Sequence, residues 1–202
     1  MIKIYGTSQS RAARSLWALE ELGLKYEHSP VSFTGDTRKP DYLKINPNGR
    51  IPAIDDDGAI LWESMAINLY LADKYGKAPL WPATVEGRGA AYQWSLWGMT
   101  ETEPHLIAIL MHRMFLPAEQ RSDKAVAAAT EALKAPFAVL DSHLKGREHL
   151  LGKDFTIADL NVASVLSLAM LVKFDFSATP TAQAWLNKCL ARPANQRAAN
   201  LK

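Results

Sequence analysis

Asn46-Pro47-Asn48-Gly49-Arg50-Ile51-Pro52-Ala53-Ile54-Asp55-Asp56-Asp57-Gly58-Ala59-Ile60-Leu61-Trp62-Glu63-Ser64-Met65-Ala66-Ile67 is the stretch on which the fold turns. Asn-Pro-Asn-Gly is turn chemistry, and residues 51–55 then read as a short strand. A proline belongs at the start of a strand or on an edge, which is where Pro52 falls. Asp57-Gly58 is a hairpin turn, residues 59–62 form the partner strand, and Ser64 opens a helix that runs through Tyr75 to Gly76.

Upstream, residues 2–6 are a brief β-like run closed by Gly6-Thr7-Ser8. Residues 11–22 are helical, with Ala12, Leu16, Leu19 and Leu22 along one face and Gly23 as the stop. Residues 26–33 read as a second strand, followed by a polar loop (34–39) and a short helical piece at 41–45. The order is βαβ, a linking helix, then ββα. Downstream of Pro79-Leu80-Trp81-Pro82 only long helical segments follow, at roughly 85–115, 119–144, 156–172 and 181–190. The expected architecture is α/β plus all-α: a small domain over 1–77, a short proline-containing linker, and an all-helical domain over 84–202.

Lys plus Arg number 23 and Asp plus Glu 21, a formal charge of +2, which leaves no footprint for nucleic acid or an anionic membrane. Cys189 is the only cysteine, so no intramolecular disulfide and no CxxC redox or zinc pattern can form. The opening Met1-Ile2-Lys3-Ile4-Tyr5 carries no secretory signal. The most apolar stretch, 157–172, is shorter than the ~20 residues a bilayer needs and contains Asp159 and Asn161, so it reads as a buried helix. The expectation is a soluble, cytoplasmic protein.

The 46–54 and 61–67 segments, the strand–turn–helix with Ser8 and Ser10, and Phe155-Thr156-Ile157-Ala158-Asp159 together resemble the cytosolic glutathione transferases, in order and spacing over essentially the whole chain. The bacterial-type, serine-activated members are the nearest pattern. The resemblance implies a thioredoxin-like N-terminal domain, an all-helical C-terminal domain, a homodimer, and glutathione as co-substrate with no other cofactor and no metal. It implies glutathione binding by Arg50, Ile51, Pro52, Glu63 and Ser64. A cis Ile51-Pro52 bond would leave the Ile51 N–H and C=O to pair with the cysteinyl part of the tripeptide, as in strand addition. Ser64, read as a helix N-cap, and its N–H would hold the γ-glutamyl carboxylate. Glu63 would face the γ-glutamyl amino group, and Arg50 the glycine end or the sulfur. Thr156 to Asp159 is a capping box with a folding role.

A free thiol has a pKa of about 8.5, and pulling it below neutrality takes roughly 2–3 kcal/mol of preferential thiolate stabilisation. A hydroxyl at the positive end of a helix can supply much of that. The family pattern favours Ser10, then Ser8. Tyr5 stands where tyrosine-type members place their hydroxyl, and Arg11 would add positive charge. No cysteine lies in this turn, which disfavours mixed-disulfide chemistry. A hydrophobic electrophile would meet the sulfur against the long helix from Val85, with Trp97, Glu101, His105 and His112 as candidate wall residues beside Trp94, Met111 and Phe115. His105 and His112 share a face but no third ligand accompanies them.

The function implied is glutathione conjugation of the detoxifying kind. Peroxidase, isomerase and dehalogenase variants share its first step. A non-catalytic glutathione-binding or interaction module of the same fold is the alternative.

Overall fold

A computed structural model describes residues 1–201. The chain divides into two compact units, Met1–Ala83 with the segment from Ala191 onward, and Thr84–Leu190.

The first unit holds a four-stranded sheet in the order β2-β1-β3-β4, from β1 (Ile2–Tyr5), β2 (Tyr26–Ser29), β3 (Ala53–Asp56) and β4 (Ala59–Trp62). β1 and β2 are parallel and joined by α1 (Ala12–Leu22). β3 runs antiparallel to both β1 and β4. This is the βαβ, helix, ββα order of a thioredoxin-like domain, completed by α2 (Pro40–Leu43) and α3 (Ser64–Tyr75). Two strands are shorter than the sequence suggests. The ladder of β3 begins at Ala53 because Pro52 has no N–H to donate, and β2 stops at Ser29 because Pro30 follows. The Asp57-Gly58 turn has φ of 52° and 93°, the left-handed pair that a two-residue hairpin requires. Ile2, Ile4, Leu16, Trp17, Leu19, Ile54, Ile67 and Leu71 form the core.

The second unit is helical. α4 (Val85–Trp97) passes through a π-turn (Gly98–Thr102) into α5 (Glu103–Leu110) and a second π-turn (Met111–Phe115), giving the continuous run expected from the sequence. α6 (Asp123–Leu144) starts later than expected because the Ser122 hydroxyl accepts the Ala125 N–H and caps it there. α7 (Ile157–Leu171) is buried through most of its length, and α8 (Pro180–Leu190) packs on α6 and α7. The capping box at Thr156 and Asp159 is formed. No helix of the described residues is long and apolar enough to cross a membrane.

One further helix, α9 (Pro193–Ala199), belongs to the first unit, where it packs against α1. It is seven residues long, opens on Pro193 and has no long periodic face, so the sequence pattern does not announce it.

Candidate functional site

Sheet register assembles the site. Tyr5 pairs with Ala53, and Ala53 pairs with Trp62, so the end of β1, the start of β3 and the end of β4 lie level. The Gly6 turn, the Ile51-Pro52 segment and the Glu63-Ser64 corner therefore all leave the sheet at the same end. Gly6 shows how closely they approach: at φ 135°, a Cβ there would lie 2.6 Å from the Ala12 Cβ and 3.1 Å from the Ile51 Cβ. Only glycine fits between the start of α1 and Ile51.

The turn after Gly6 is held by its own polar groups. Both the N–H and the hydroxyl of Ser10 donate to the Thr7 carbonyl, at 3.1 and 2.8 Å, and the Ser10 Oγ accepts the Ala12 N–H at 3.1 Å. The Ser8 hydroxyl donates to the Leu201 carbonyl at 2.6 Å, a link to the segment after α9. Tyr5 lies half-buried with its ring edge-on to Tyr42 of α2, 6.1 Å between centroids, and with the Lys3 ammonium 5.5 Å from the ring. Burial raises the Tyr5 phenol above its ordinary value, against the opposing charge of Lys3. The three candidate hydroxyls thus sit in one region but in different surroundings.

The segment before β3 is pinned from α2. The Tyr42 hydroxyl and the Asn46 amide both donate to the Arg50 carbonyl at 2.7 Å, while the Asn46 Oδ1 accepts from the Asn48 N–H at 3.1 Å. Burial, with Tyr5 alongside, leaves the Tyr42 phenol pushed up to about 12, so it serves as a donor at any ordinary pH. The Arg50 side chain is exposed, Ile51 is buried, and the Ile51-Pro52 peptide bond is cis.

At the third corner the structure corrects the sequence reading: Glu63, not Ser64, is the N-cap residue of α3, and Ser64 is its first helical residue. Glu63 has φ 73° and ψ 114°, a conformation unfavourable for any residue with a side chain, and its carboxylate caps nothing. This backbone aims the first N–H groups of a 12-residue helix out of the corner. A helix start of this kind favours an anion.

The sequence reading passed over Arg38. Its guanidinium lies against Gly49, where a Cβ would meet Nη1 at 2.9 Å, and it is exposed beside the Arg50 segment. In sequence it is one cation in a polar loop; only the 3-10 turn at Asp36–Arg38 carries it to the Asn46–Arg50 turn.

The wall candidates belong to the second unit. Trp97 is half-buried and edge-on to buried Trp94, 5.1 Å between centroids. Glu101 is exposed in the first π-turn and accepts from the Thr100 hydroxyl at 3.3 Å. His105 lies half-buried on α5. His112 lies in the second π-turn, with its Nδ1 buried and unpartnered among the described residues. Met111 and Phe115 are exposed on the same turn.

Elsewhere in that unit His149, Asp159 and Cys189 bring ligand-type atoms within 4.8 Å of one another. Asp159 is already occupied: it accepts from the Leu150 N–H, the Thr156 N–H and hydroxyl, and the Trp185 indole at 2.8–3.1 Å. That pattern is a helix cap tied to α8, not an open coordination site.

Residues 1–73 match the family "Glutathione S-transferase, N-terminal domain" and residues 103–193 match "Glutathione S-transferase, C-terminal domain". Glutathione S-transferase GstB of Escherichia coli K12 is 33% identical over 198 residues, covering 96% of this chain and 95% of that protein. Glutathione S-transferase 3 of Zea mays is also 33% identical, over 97% of this chain and 92% of its own. Among solved structures, the theta class glutathione S-transferase of Xanthomonas axonopodis pv. citri with glutathione bound superposes with a TM-score of 0.90 at 28% identity, over 100% of this chain and 98% of that one. A glutathione transferase family member from Pseudomonas fluorescens with two glutathione bound gives 0.87 at 31% identity, over 100% and 93%. Two domain matches in order, with relatives of this identity over nearly the full length, show that the chain belongs to the glutathione S-transferase family.

Proposed function

We propose that this chain is a glutathione transferase that activates the glutathione thiol as thiolate and conjugates it to a hydrophobic electrophile. The observation that carries the reading is the register that sets the Gly6 turn, Ile51-Pro52 and the Glu63-Ser64 corner at one end of the sheet. An extended tripeptide laid across that end meets each segment with matching chemistry. The γ-glutamyl carboxylate takes the first N–H groups of α3 and the Ser64 hydroxyl. Glu63 takes the γ-glutamyl ammonium, Ile51 pairs with the cysteinyl backbone, and Arg50 and Arg38 face the glycine carboxylate. The thiol then lies at the turn leading into α1.

Ser10 is the favoured activating group. To donate to a sulfur it must leave one neutral hydrogen bond to Thr7, worth about 0.5–1.5 kcal/mol, for a bond to an anion worth about 1.5–3. Ser8 would have to release Leu201, and the Tyr5 ring is engaged with Tyr42. Catalysis needs no covalent enzyme intermediate; orientation and electrostatics carry it. Trp97, Glu101, His105 and His112 supply the electrophile's wall. Peroxide reduction, isomerisation and dehalogenation begin with the same thiolate. A second copy of the chain as partner, and the reducing setting of the cytoplasm, complete the reading.

One observation favours a second reading, glutathione binding without turnover: the hydroxyl protons of both Ser8 and Ser10 are spent on carbonyls. A titration of bound glutathione near 240 nm separates the two. Activation predicts a thiol pKa below the free value by one unit or more, about 1.4 kcal/mol per unit, restored toward free by Ser10→Ala but not by Tyr5→Phe. A bound thiol with an unshifted pKa would leave only the binding module.

A further inference from the structure

We propose that the segment carrying α9 is a strap that holds the thiol-activating turn in place, which makes Arg192 and Arg197 positioning residues for the transfer reaction. The inference rests on the reading of residues 6–11 given above.

α1 is 11 residues long, about 16 Å, and the strap engages it at both ends. At the last turn of α1, Arg192 grips Glu21: its Nε lies 3.1 Å from each carboxylate oxygen and its Nη2 also reaches Oε1. The Glu21 side chain is only 11% exposed and accepts the Trp17 indole N–H at 3.2 Å as well. One residue earlier, Arg197 Nε donates to the Glu20 carboxylate at 2.6 Å and its Nη2 to the Glu20 carbonyl at 3.2 Å. Glu20 in turn accepts the Tyr26 hydroxyl of β2 at 2.7 Å. Beside these ion pairs Ala194 and Ala198, four apart on one face of α9, are buried, and their small side chains let the helix lie close. Past α9 the chain reaches the opposite end of α1, where the Leu201 carbonyl takes the Ser8 proton.

The consequence lies in the turn. Thr7 and Ser10 are bonded to each other and to the start of α1, and Ser8, between them in the chain, is tied to Leu201, which is distant in sequence. A hydroxyl that is to meet a sulfur must be held to within about half an ångström. With the strap closed, Ser8 is spent as a donor on Leu201 and the turn is anchored, so Ser10, which has only its local bond to Thr7 to exchange, is the hydroxyl left for the ligand. With the arginine clamps gone, Leu201 drifts, Ser8 is released and the turn loosens. The clamp residues touch neither glutathione nor electrophile in this account.

The test uses the full chain carrying Arg197→Ala, Arg192→Lys, and the double change Arg192→Ala with Arg197→Ala. Three quantities are read: the thiol pKa of bound glutathione, kcat against KM for glutathione, and hydrogen exchange at the Ser10 and Ala12 amides. The double variant is expected to hold roughly threefold to tenfold less thiolate at a fixed neutral pH, and to lose kcat by the same factor. Its KM for glutathione stays within about twofold, and exchange at the two amides quickens roughly tenfold. Arg192→Lys, which keeps the charge but not the fork, falls between. Arg197→Ala, at an exposed site, carries the test should the double variant not fold. Unchanged thiol pKa and unchanged exchange in a folded variant overturn the strap, as does a loss confined to thermal stability. If the wild-type thiol is itself unshifted, the transferase reading fails, and amide exchange alone then decides whether the strap holds the turn.

Discussion

Glu63 holds a backbone conformation, φ 73° and ψ 114°, that costs a residue with a Cβ on the order of 1–3 kcal/mol. Its carboxylate caps no helix N–H in return. Such strain persists where the surrounding structure imposes it, and here it turns the chain from β4 into α3 so that the helix start faces the Gly6 turn. Glu63→Gly is therefore expected to raise stability by about 0.5–1 kcal/mol, part of the relief being lost to the freer unfolded chain. The same change should weaken glutathione binding roughly tenfold or more, since it removes a charged hydrogen-bond partner. Thermal melting and isothermal titration of the one variant check both signs. A loss of stability with full affinity would mean that the corner is structural and the carboxylate idle. At this scale the sequence carried the identity of Glu63 and Ser64 but not their helix positions, because a residue at positive φ leaves no mark in composition. It ranked Ser10 before Ser8 and Tyr5 by family pattern alone, since what separates them physically is the surroundings of each hydroxyl, and Leu201, the partner of Ser8, lies far away in the chain.

Elements were legible where their period or punctuation was strong. The hairpin around Asp57-Gly58 and the capped start of α7 read directly from turn and capping chemistry. α9 did not, because its stability comes from α1 and the arginine clamps, not from its own pattern. Packing of α3 on β3 shows the same dependence on tertiary partners. The side chain of Asp56, 1% exposed at the end of β3, accepts from the Tyr70 hydroxyl at 2.8 Å, the Lys74 ammonium at 2.7 Å and the Tyr75 hydroxyl at 2.8 Å. Burial pushes this carboxyl up, but the bonds from Lys74, Tyr70 and Tyr75 outweigh it and hold it below the usual carboxylate range. The contribution is then fully present above the unfolded value of about 3.9 and is lost as pH falls through the lower folded value. Asp56→Asn should destabilise the protein by about 1–3 kcal/mol at pH 7. In urea melts the gap between wild type and variant should narrow below about pH 4. A gap of equal size at both pH values would assign the effect to packing and remove the charge from the account.

On the scale of the whole molecule the division into an α/β part and a helical part was visible as a change of grammar near Pro79-Leu80-Trp81-Pro82. That the chain comes back after Leu190 to finish the first unit was not visible, since such a return is a matter of tertiary contact alone. The first unit also leaves its sheet open: β4 is an edge strand, with Ile60 46% and Trp62 40% exposed. An exposed apolar edge of this kind invites association, and natural proteins ordinarily cover or charge it. In the second unit α4 exposes Tyr92 and Leu96, the latter by 61%. A second copy of this chain is the occupant proposed above. Sedimentation at micromolar concentration should then give twice the monomer mass. Burying one Trp side chain is worth about 1.5–3 kcal/mol, so Trp62→Glu should weaken association by a factor of ten or more while leaving each copy folded. Leu96→Glu, on the other unit, should act in the same direction. A wild-type chain that sediments as a monomer with full transferase activity would place the complete site within a single copy and leave the β4 edge to some other partner.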